Sequence, residues 1–286
     1  MIEIRENISL EQVYCYQAKC VAPYFFSVDF DTWRKSFMED IDGEGRTLFK
    51  TLTVRAAFVD EKIVGYIQYG HTAFGFDENG EISSDVSYGV IRNLYYDEEH
   101  GQAGQLLLQA ALDGLEAEER IYAFFHYFGM SCYARHGKLF QQFAHIEALL
   151  RANGFQTEHE NVYYSSVLDC PRGASVELRP CDRTRGNQQY IDFFLSGNHV
   201  GGCEVHFLNS HTTYLRWIYV NGDIVGQGVG TKCMAALQNW LWQQGIRRFD
   251  TDTALQNLVA QHFYEKTGFT REGVTRSFYR NEKRGA

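Results

Sequence analysis

The sequence predicts an α+β fold of two tandem related units, each a mostly antiparallel sheet flanked by helices, the second truncated at its N-terminus. Three observations predict it, because three signals occur twice in the same order. A hairpin pattern lies at 56–70 and again at 191–207, two β-rich runs around a short polar turn. A strand running into a Gly-containing turn and an apolar helix lies at 90–112 and again at 214–237. A helix ending in Gly-Phe and followed by a strand lies at 148–168 and again at 262–280. The spacing between copies shrinks along the chain, so the first copy carries longer connections, at about 71–88 and 127–146.

The elements follow in order. Residues 1–50 offer a strand, Ile2–Arg5, and helical stretches at about 9–22 and 30–40. The second copy has too short a lead-in to its hairpin to repeat those helices. Between the copies, Asp169-Cys170-Pro171-Arg172-Gly173 groups local breakers. The expected domains are therefore 1–168 and 174–286. The strand after the first helix of each copy is expected at Arg120–Tyr127 and at Arg247–Thr253. The insert at 127–146 reads as an aromatic amphipathic helix covering the sheet. Its Cys132, His136 and His145 could form a nucleophile–base pair, but core packing is the simpler reading.

Composition limits the function classes. The chain has 286 residues, 44% hydrophobic and 22% charged, which suits two packed globular domains. Its net charge of −9, with no long basic run, argues against a nucleic-acid partner. An acidic surface suits a cationic substrate such as an amine. The seven cysteines form no CxxC pair, so free thiols in a reducing, cytoplasmic setting are expected. The N-terminus lacks an apolar signal core, and no apolar run reaches the roughly 18 residues of a membrane span. No metal site and no membrane partner are expected, and the reading allows a homodimer.

The most informative segment is Gly226-Gln227-Gly228-Val229-Gly230-Thr231, between a strong strand at 214–220 and a helix. That helix carries Val229, Cys233, Ala236, Leu237 and Trp240 on one face. A helix N-terminus leaves N–H groups unpaired, and glycines let a phosphate reach them. A dinucleotide fold would also want an acid at the end of the next strand, and Asp250 and Asp252 are there. The preceding antiparallel hairpin argues against it, since a dinucleotide fold would begin with a βαβ unit.

With Ile218-Tyr219-Val220 before it and Asn257, Ala260 and Phe263-Tyr264-Glu265-Lys266-Thr267-Gly268-Phe269 after it, the second copy resembles the GNAT N-acetyltransferase superfamily. The resemblance covers about 190–280 well and 1–168 in outline. Gly222 stands where that family usually has Pro, and Val225 where it has Arg or Gln. The resemblance implies acetyl-CoA as co-substrate, held by Ile218, Tyr219, Val220, Val225, Gly226, Gln227, Gly228, Val229, Gly230, Thr231 and Asn257. It further implies that Val220 N–H polarises the thioester carbonyl and that Tyr264 protonates the departing thiolate. A general base from the central strands is needed, and Glu204 is the candidate, with His206 on the same face by parity.

The implied activity is direct acetyl transfer to a primary amine, on a small molecule or a peptide. The alternative is a non-catalytic protein that binds acyl-CoA or an amine. The first copy is eroded at the corresponding places. Its turn His100-Gly101-Gln102-Ala103-Gly104-Gln105 keeps two glycines, Leu106 replaces a small residue, and Leu150 stands where Tyr264 stands in the second copy. The first copy is expected to have lost catalysis and to serve as support.

Overall fold

In a computed structural model of the chain, which describes residues 1–39, 41–42, 45–169, 175–181 and 186–281, the repeated signals fold as strands and helices, but their last strands change places. The chain divides into unit 1, Met1–Glu160 with the strand segment from Thr275 onward, and unit 2, Asn161–Val274.

The elements run β1 (Ile2–Arg5), α1 (Leu10–Gln17), α2 (Phe30–Phe37), β2 (Phe49–Val59), β3 (Lys62–Thr72), β4 (Gly75–Phe76), β5 (Ile82–Ser83) and β6 (Gly89–Tyr96). Next come α3 (Gly101–Gly114), β7 (Arg120–Ala123), β8 (Leu139–Phe140), α4 (Ala144–Ala152) and β9 (Gln156–Val167). The second copy runs β10 (Glu177–Pro180), β11 (Gln188–Leu195), β12 (Asn198–Phe207), β13 (Thr212–Val220), α5 (Val229–Gln243), β14 (Arg248–Ala254), α6 (Leu258–Lys266) and β15 (Thr270–Asn281).

In unit 1 the strands pair in the order β1-β2-β3-β6-β7, and β15 completes the sheet beside β7. Phe278 of β15 faces Ala123 of β7, and Thr275 faces Phe140 of β8. Phe278 is fully buried in the same core as Trp33, Phe37, Tyr66 and Leu107. In unit 2 the order is β10-β11-β12-β13-β14, and β9 completes it: Asn161 to Val167 pair antiparallel with β14. The unit 2 core gathers Val205, Leu215, Leu237, Phe249, Tyr264 and Phe269.

The expected domains, 1–168 and 174–286, therefore differ from the observed division. Each unit takes its closing strand from the segment expected to close the other copy. The physical reason is that either closing strand satisfies the same edge N–H and C=O groups. Cys170 to Gly173 of the expected linker lie outside the described residues. Asp29 caps α2 by accepting from Thr32 N–H at 2.9 Å. Among the described residues, unit 2 has no counterpart of α1 and α2 before its hairpin.

Two expectations about the first copy need correction. The strand expected at Arg120–Tyr127 ends at Ala123, because Phe124 takes a left-handed backbone (φ 57°) and turns the chain. The insert at 127–146 is not one amphipathic helix. It holds 3₁₀ turns at His126–Phe128 and Ser131–Tyr133, then β8, with α4 starting at Ala144. Left-handed Ala134 and Arg135 (φ 55° and 53°) prevent a continuous helix. Cys132 is buried and its thiol is pushed up to about 12 by that burial, so it packs as an apolar group. No helix of the described residues is long and apolar enough to cross a membrane.

The exchange of closing strands is testable. Phe278→Ala should destabilise the protein by about 3–5 kcal/mol. Amide exchange should then accelerate at 121–123, far from residue 278 in sequence, before it accelerates in β11. Unchanged protection in β7 would contradict the pairing.

Candidate active site

Antiparallel β11, β12 and β13 bring the hairpin against the strand that precedes the glycine turn. β13 then pairs with β14 in parallel, but only from Thr212–Arg248 to Leu215–Thr251. Beyond that rung, residues 216–220 and 252–254 run on unpaired with each other. The final stitch is Thr251 Oγ1, donating to Leu215 O at 3.0 Å. On its other side β13 has a bulge: Glu204 faces Trp217 and Val205 faces Leu215, leaving Arg216 as the extra residue. The bulge and the parting begin at the same level. The result is a cleft whose one wall is the free edge of β13.

The turn at the end of β13 opens α5. Asn221 to Ile224 tighten into a 3₁₀ turn, and Gln227 N–H donates to Ile224 O at 3.4 Å. Gly226 (φ 82°) and Gly228 (φ 78°) hold left-handed conformations that favour glycine. A Cβ built at Gly222, Gly226 or Gly228 would meet no atom within 4 Å, so the turn faces open space. Gly228 is the N-cap and no side chain caps this end, which leaves the first-turn N–H groups of Val229, Gly230 and Thr231 facing outward. Gly230 packs differently, 3.4 Å from the Phe263 ring by the same construction. Val225 is exposed beside the turn.

The face of the unit 2 sheet turned away from α5 and α6 is polar. Glu204, 1% exposed, sits on the rung of Tyr190 and Trp217. Its carboxylate accepts from His206 Nε2 at 2.6 Å, Trp217 Nε1 at 2.8 Å and Arg216 at 3.1 Å. Burial alone would push this carboxyl up, but the His206 hydrogen bond and the Arg216 charge outweigh it and hold it at about 2. The candidate base from the sequence is thus an ionised, fully engaged carboxylate. Because it only accepts, the His206 proton lies on Nε2, which leaves Nδ1 as the ring nitrogen able to take a proton.

The next rung holds Tyr214 opposite His206, with ring centroids 6.3 Å apart. The Tyr214 hydroxyl bonds the Asp252 carboxylate, which Asn161 also donates to. Asp250 is enclosed by Arg248 at 2.9 Å and the Tyr163 hydroxyl at 2.7 Å. Burial dominates there and raises its carboxyl to about 6. Asp250 and Asp252 therefore serve a buried network on this face.

Tyr264 on α6 is 6% exposed and packs among Tyr164, Phe263 and Phe269. Its hydroxyl lies beside Thr251, the last paired residue before the cleft, and burial raises its pKa, so the phenol stays protonated. Gly268 (φ 93°) ends α6, and Phe269 N–H returns to Tyr264 O at 3.0 Å, which fixes the Tyr264 backbone. Asn257 caps α6: its Oδ1 accepts from Ala260 N–H at 3.1 Å, leaving the amide NH₂ to donate outward.

The corresponding cleft of unit 1 is filled. β6 and β7 also pair in parallel for three residues, from Gly89–Ile121 to Ile91–Ala123. Beyond them Tyr95 packs against Phe124 and Phe143. The Tyr96 hydroxyl donates to His145 O at 3.0 Å, and its ring lies so close to α3 that a Cβ at Gly104 would meet it at 2.5 Å. The turn before α3 carries Asp97, Glu98 and Glu99. Leu150, at the position of Tyr264, is fully buried.

Sequence reasoning missed Arg216 and Trp217 as partners of Glu204, because the bulge that aims them leaves no local signal. It also missed the Asn257 cap, for which Asn before a helix was a readable sign.

Residues 153–269 match the acetyltransferase (GNAT) family. Among solved structures, a tandem GNAT protein from the clavulanic acid biosynthesis pathway is 12% identical, with a TM-score of 0.64 and 100% of both chains covered. A GCN5-related glucosamine N-acetyltransferase region in a fungal multi-domain GH3 β-N-acetylglucosaminidase is 11% identical, with a TM-score of 0.65. The match covers 98% of this chain and 38% of that one, so this chain spans well under half of that protein. A GCN5-related N-acetyltransferase from Sphaerobacter thermophilus is 11% identical, with a TM-score of 0.62, over 100% of this chain and 97% of that one. No curated protein matches the sequence.

The Glu204 environment gives a pH prediction. A carboxyl held at about 2 when folded, against about 4.3 when unfolded, stabilises the protein fully above pH 5. That contribution is lost as pH falls towards 2. Thermal unfolding should therefore show a smaller drop between pH 6 and pH 3 for Glu204→Gln than for the parent chain. Equal drops would mean that the carboxylate is not held in this way.

Proposed function

From its membership of the GNAT superfamily, with the family match at 153–269 and the fold of tandem GNAT proteins, we propose that this protein is an N-acetyltransferase acting through unit 2. It would move the acetyl group of acetyl-CoA to a primary amine by direct attack. The observation that carries this reading is the parting of β13 from β14 immediately beside an open, uncapped helix N-terminus.

The roles follow from chemistry. The N–H groups of 228–231 would hold the pyrophosphate, aided by the positive end of α5. The pantetheine arm would pair with the free edge of β13 at Ile218, Tyr219 and Val220, and the Asn257 amide NH₂ would donate to it. Val220 N–H would stabilise the oxyanion as the thioester carbonyl becomes tetrahedral. We assign proton uptake from the attacking amine to His206 Nδ1, with Glu204 setting its tautomer. A carboxylate already meeting His206, Trp217 and Arg216 is a poor acceptor. The C–N bond forms, the C–S bond breaks, and Tyr264 gives its proton to the departing thiolate. On this face Arg216 balances Glu204 and Arg248 balances Asp250, so the Asp252 carboxylate is the group that would favour a cationic amine over an anionic acceptor. Unit 1, with Tyr96 and Tyr95 in its cleft, would bind no acyl-CoA.

The second reading is a non-catalytic acyl-CoA or amine binder, favoured by the engaged Glu204 and by Val225. Incubation with acetyl-CoA and a panel of primary amines, detecting free thiol, separates the two. Thiol release with at least one amine supports the enzyme; CoA binding with no release across the panel supports the binder.

Two variant sets test the assignments. Tyr264→Phe should lower kcat by about 10²-fold or more, with CoA affinity changed less than about twofold. Unchanged turnover removes Tyr264 from the mechanism. Val225→Arg should tighten CoA binding by about threefold to tenfold, and more at low salt, as one added phosphate contact would. Gly228→Glu should abolish binding. If Val225→Arg leaves affinity and its salt dependence unchanged, the pyrophosphate does not sit at this turn.

A further inference from the structure

The polar face of the unit 2 sheet carries a row of aromatic rings that the transfer chemistry does not use. Tyr190, Glu204 and Trp217 share one rung of β11, β12 and β13, and Tyr219, two residues on, shares the face. The Tyr190 and Trp217 ring centroids lie 5.9 Å apart, and those of Trp217 and Tyr219 lie 5.8 Å apart. Tyr219 is 48% exposed, and Tyr190 and Trp217 are half-buried. The Tyr219 ring lies down against β12, since a Cβ at Gly202 would meet it at 3.3 Å. Trp217 is held by its Nε1–H, which donates to Glu204 at 2.8 Å. The three rings form a shelf that is set in place and open to water.

The same rung in unit 1 shows that the fold does not require these rings. There a matching bulge follows Gln68, and the rung holds Val54, Gln68 and Asn93. Asn93 Nδ2 donates to Gln68 Oε1 at 2.8 Å, and Gln68 Nε2 donates to Phe37 O, at the end of α2, at 2.6 Å. That rung is buried under α2. Unit 2 has no counterpart of α1 and α2 among the described residues, and its aromatic rung is left open. Clustered exposed rings rimmed by polar groups mark a binding surface.

Glu204 ties the shelf to the candidate base. One of its oxygens meets the Trp217 indole and the other meets the His206 ring. A ring stacked on Trp217 therefore has His206 within reach of a short side chain. Opposite His206, the Tyr214 hydroxyl holds the Asp252 carboxylate, which attracts an ammonium.

We propose that Tyr190, Trp217 and Tyr219 are the specificity platform for the acceptor, and that the acceptor is an arylalkylamine. Its aromatic ring lies on Trp217, a linker of a few carbons follows, and its primary amine reaches His206. The amine part of this inference rests on the acetyl-transfer reading; the aromatic part rests on the shelf. A ring on these rings gains about twofold to tenfold in affinity beyond the area it buries. A linear alkylamine buries apolar surface there but makes no ring–ring contact.

The test compares phenethylamine with n-hexylamine on the full chain in two assays. One is calorimetric binding with CoA present, where no transfer is possible; the other is thiol release from acetyl-CoA. Phenethylamine should bind about threefold to tenfold tighter, and its kcat/KM should be higher by a similar factor, carried by KM. Trp217→Leu should bring both ratios to about one, whereas Trp217→Phe, which keeps a ring and loses the Glu204 hydrogen bond, should keep a ratio of about twofold or more. Tyr219→Leu should lower the ratio as well. Each ratio compares two amines on one variant, so a general loss of activity cancels. Equal binding of the two amines, tighter binding of n-hexylamine, or no binding of either overturns the proposal. So does a ratio that Trp217→Leu and Tyr219→Leu both leave unchanged. If the binding ratio responds to Trp217→Leu but neither amine releases thiol, the shelf stands and the transfer reading falls. Thiol release with equal kcat/KM for both amines sinks the shelf alone. If Trp217→Leu does not fold, Tyr219→Leu, at an exposed side chain, decides.

Discussion

The early parting of β13 from β14 is the constraint on which the rest of unit 2 depends. A parallel pair needs a crossover, and α5 provides it, so the N-terminus of α5 must stand at the C-terminal end of β13. If the two strands stayed paired to their ends, that helix terminus would face a closed sheet. They stop pairing at Leu215 and Thr251, and the Thr251 hydroxyl, by donating to Leu215 O, terminates the ladder. The same residue meets the Tyr264 hydroxyl. The bulge at Arg216 begins at this level and brings Arg216 and Trp217 onto Glu204. One local event thus sets the cleft, the surroundings of the Tyr264 hydroxyl and the charge state of Glu204.

Unit 1 shows what that geometry becomes when its contents change. Its β6 and β7 part in the same way, so the frame is retained. Aromatic side chains take the space, and the mutual contacts of Tyr96 and His145 tie the strand end to α4. Burying large rings in that space makes it part of the unit 1 core. The unit's helices α1 and α2 and its aromatic insert then border a separate space on their own side.

What could be read in the sequence was what is encoded locally. The glycine turn, the helix face from Val229 to Trp240, the hairpins and Ile2–Arg5 rest on spacing over a few residues, and spacing survives translation into structure. The two Gly-Phe helix ends were legible for the same reason: a left-handed residue after the last turn needs glycine, as Gly154 and Gly268 show. The exchange of β9 and β15 was not legible, because both strands carry the same pattern and pairing is decided by distant partners. The insert failed for another reason. Its aromatic density mimics a helix face, while the backbone preferences of Phe124, Ala134 and Arg135 carry no strong sequence mark. Glu204 was the candidate as the carboxylate on the strand before β13, and parity put His206 on its face, but its saturation by His206, Arg216 and Trp217 depends on a bulge, which shifts parity by one.

The exchanged strands also set an order in time. On a ribosome, β1 to β8 emerge long before β15, and at typical synthesis rates the wait is on the order of ten seconds. Until then the sheet of unit 1 has an open edge at β7 and a core lacking Phe278. The half of the chain that is made first is therefore the half that finishes folding last. Throughout that interval its exposed edge must be kept from pairing with other nascent chains.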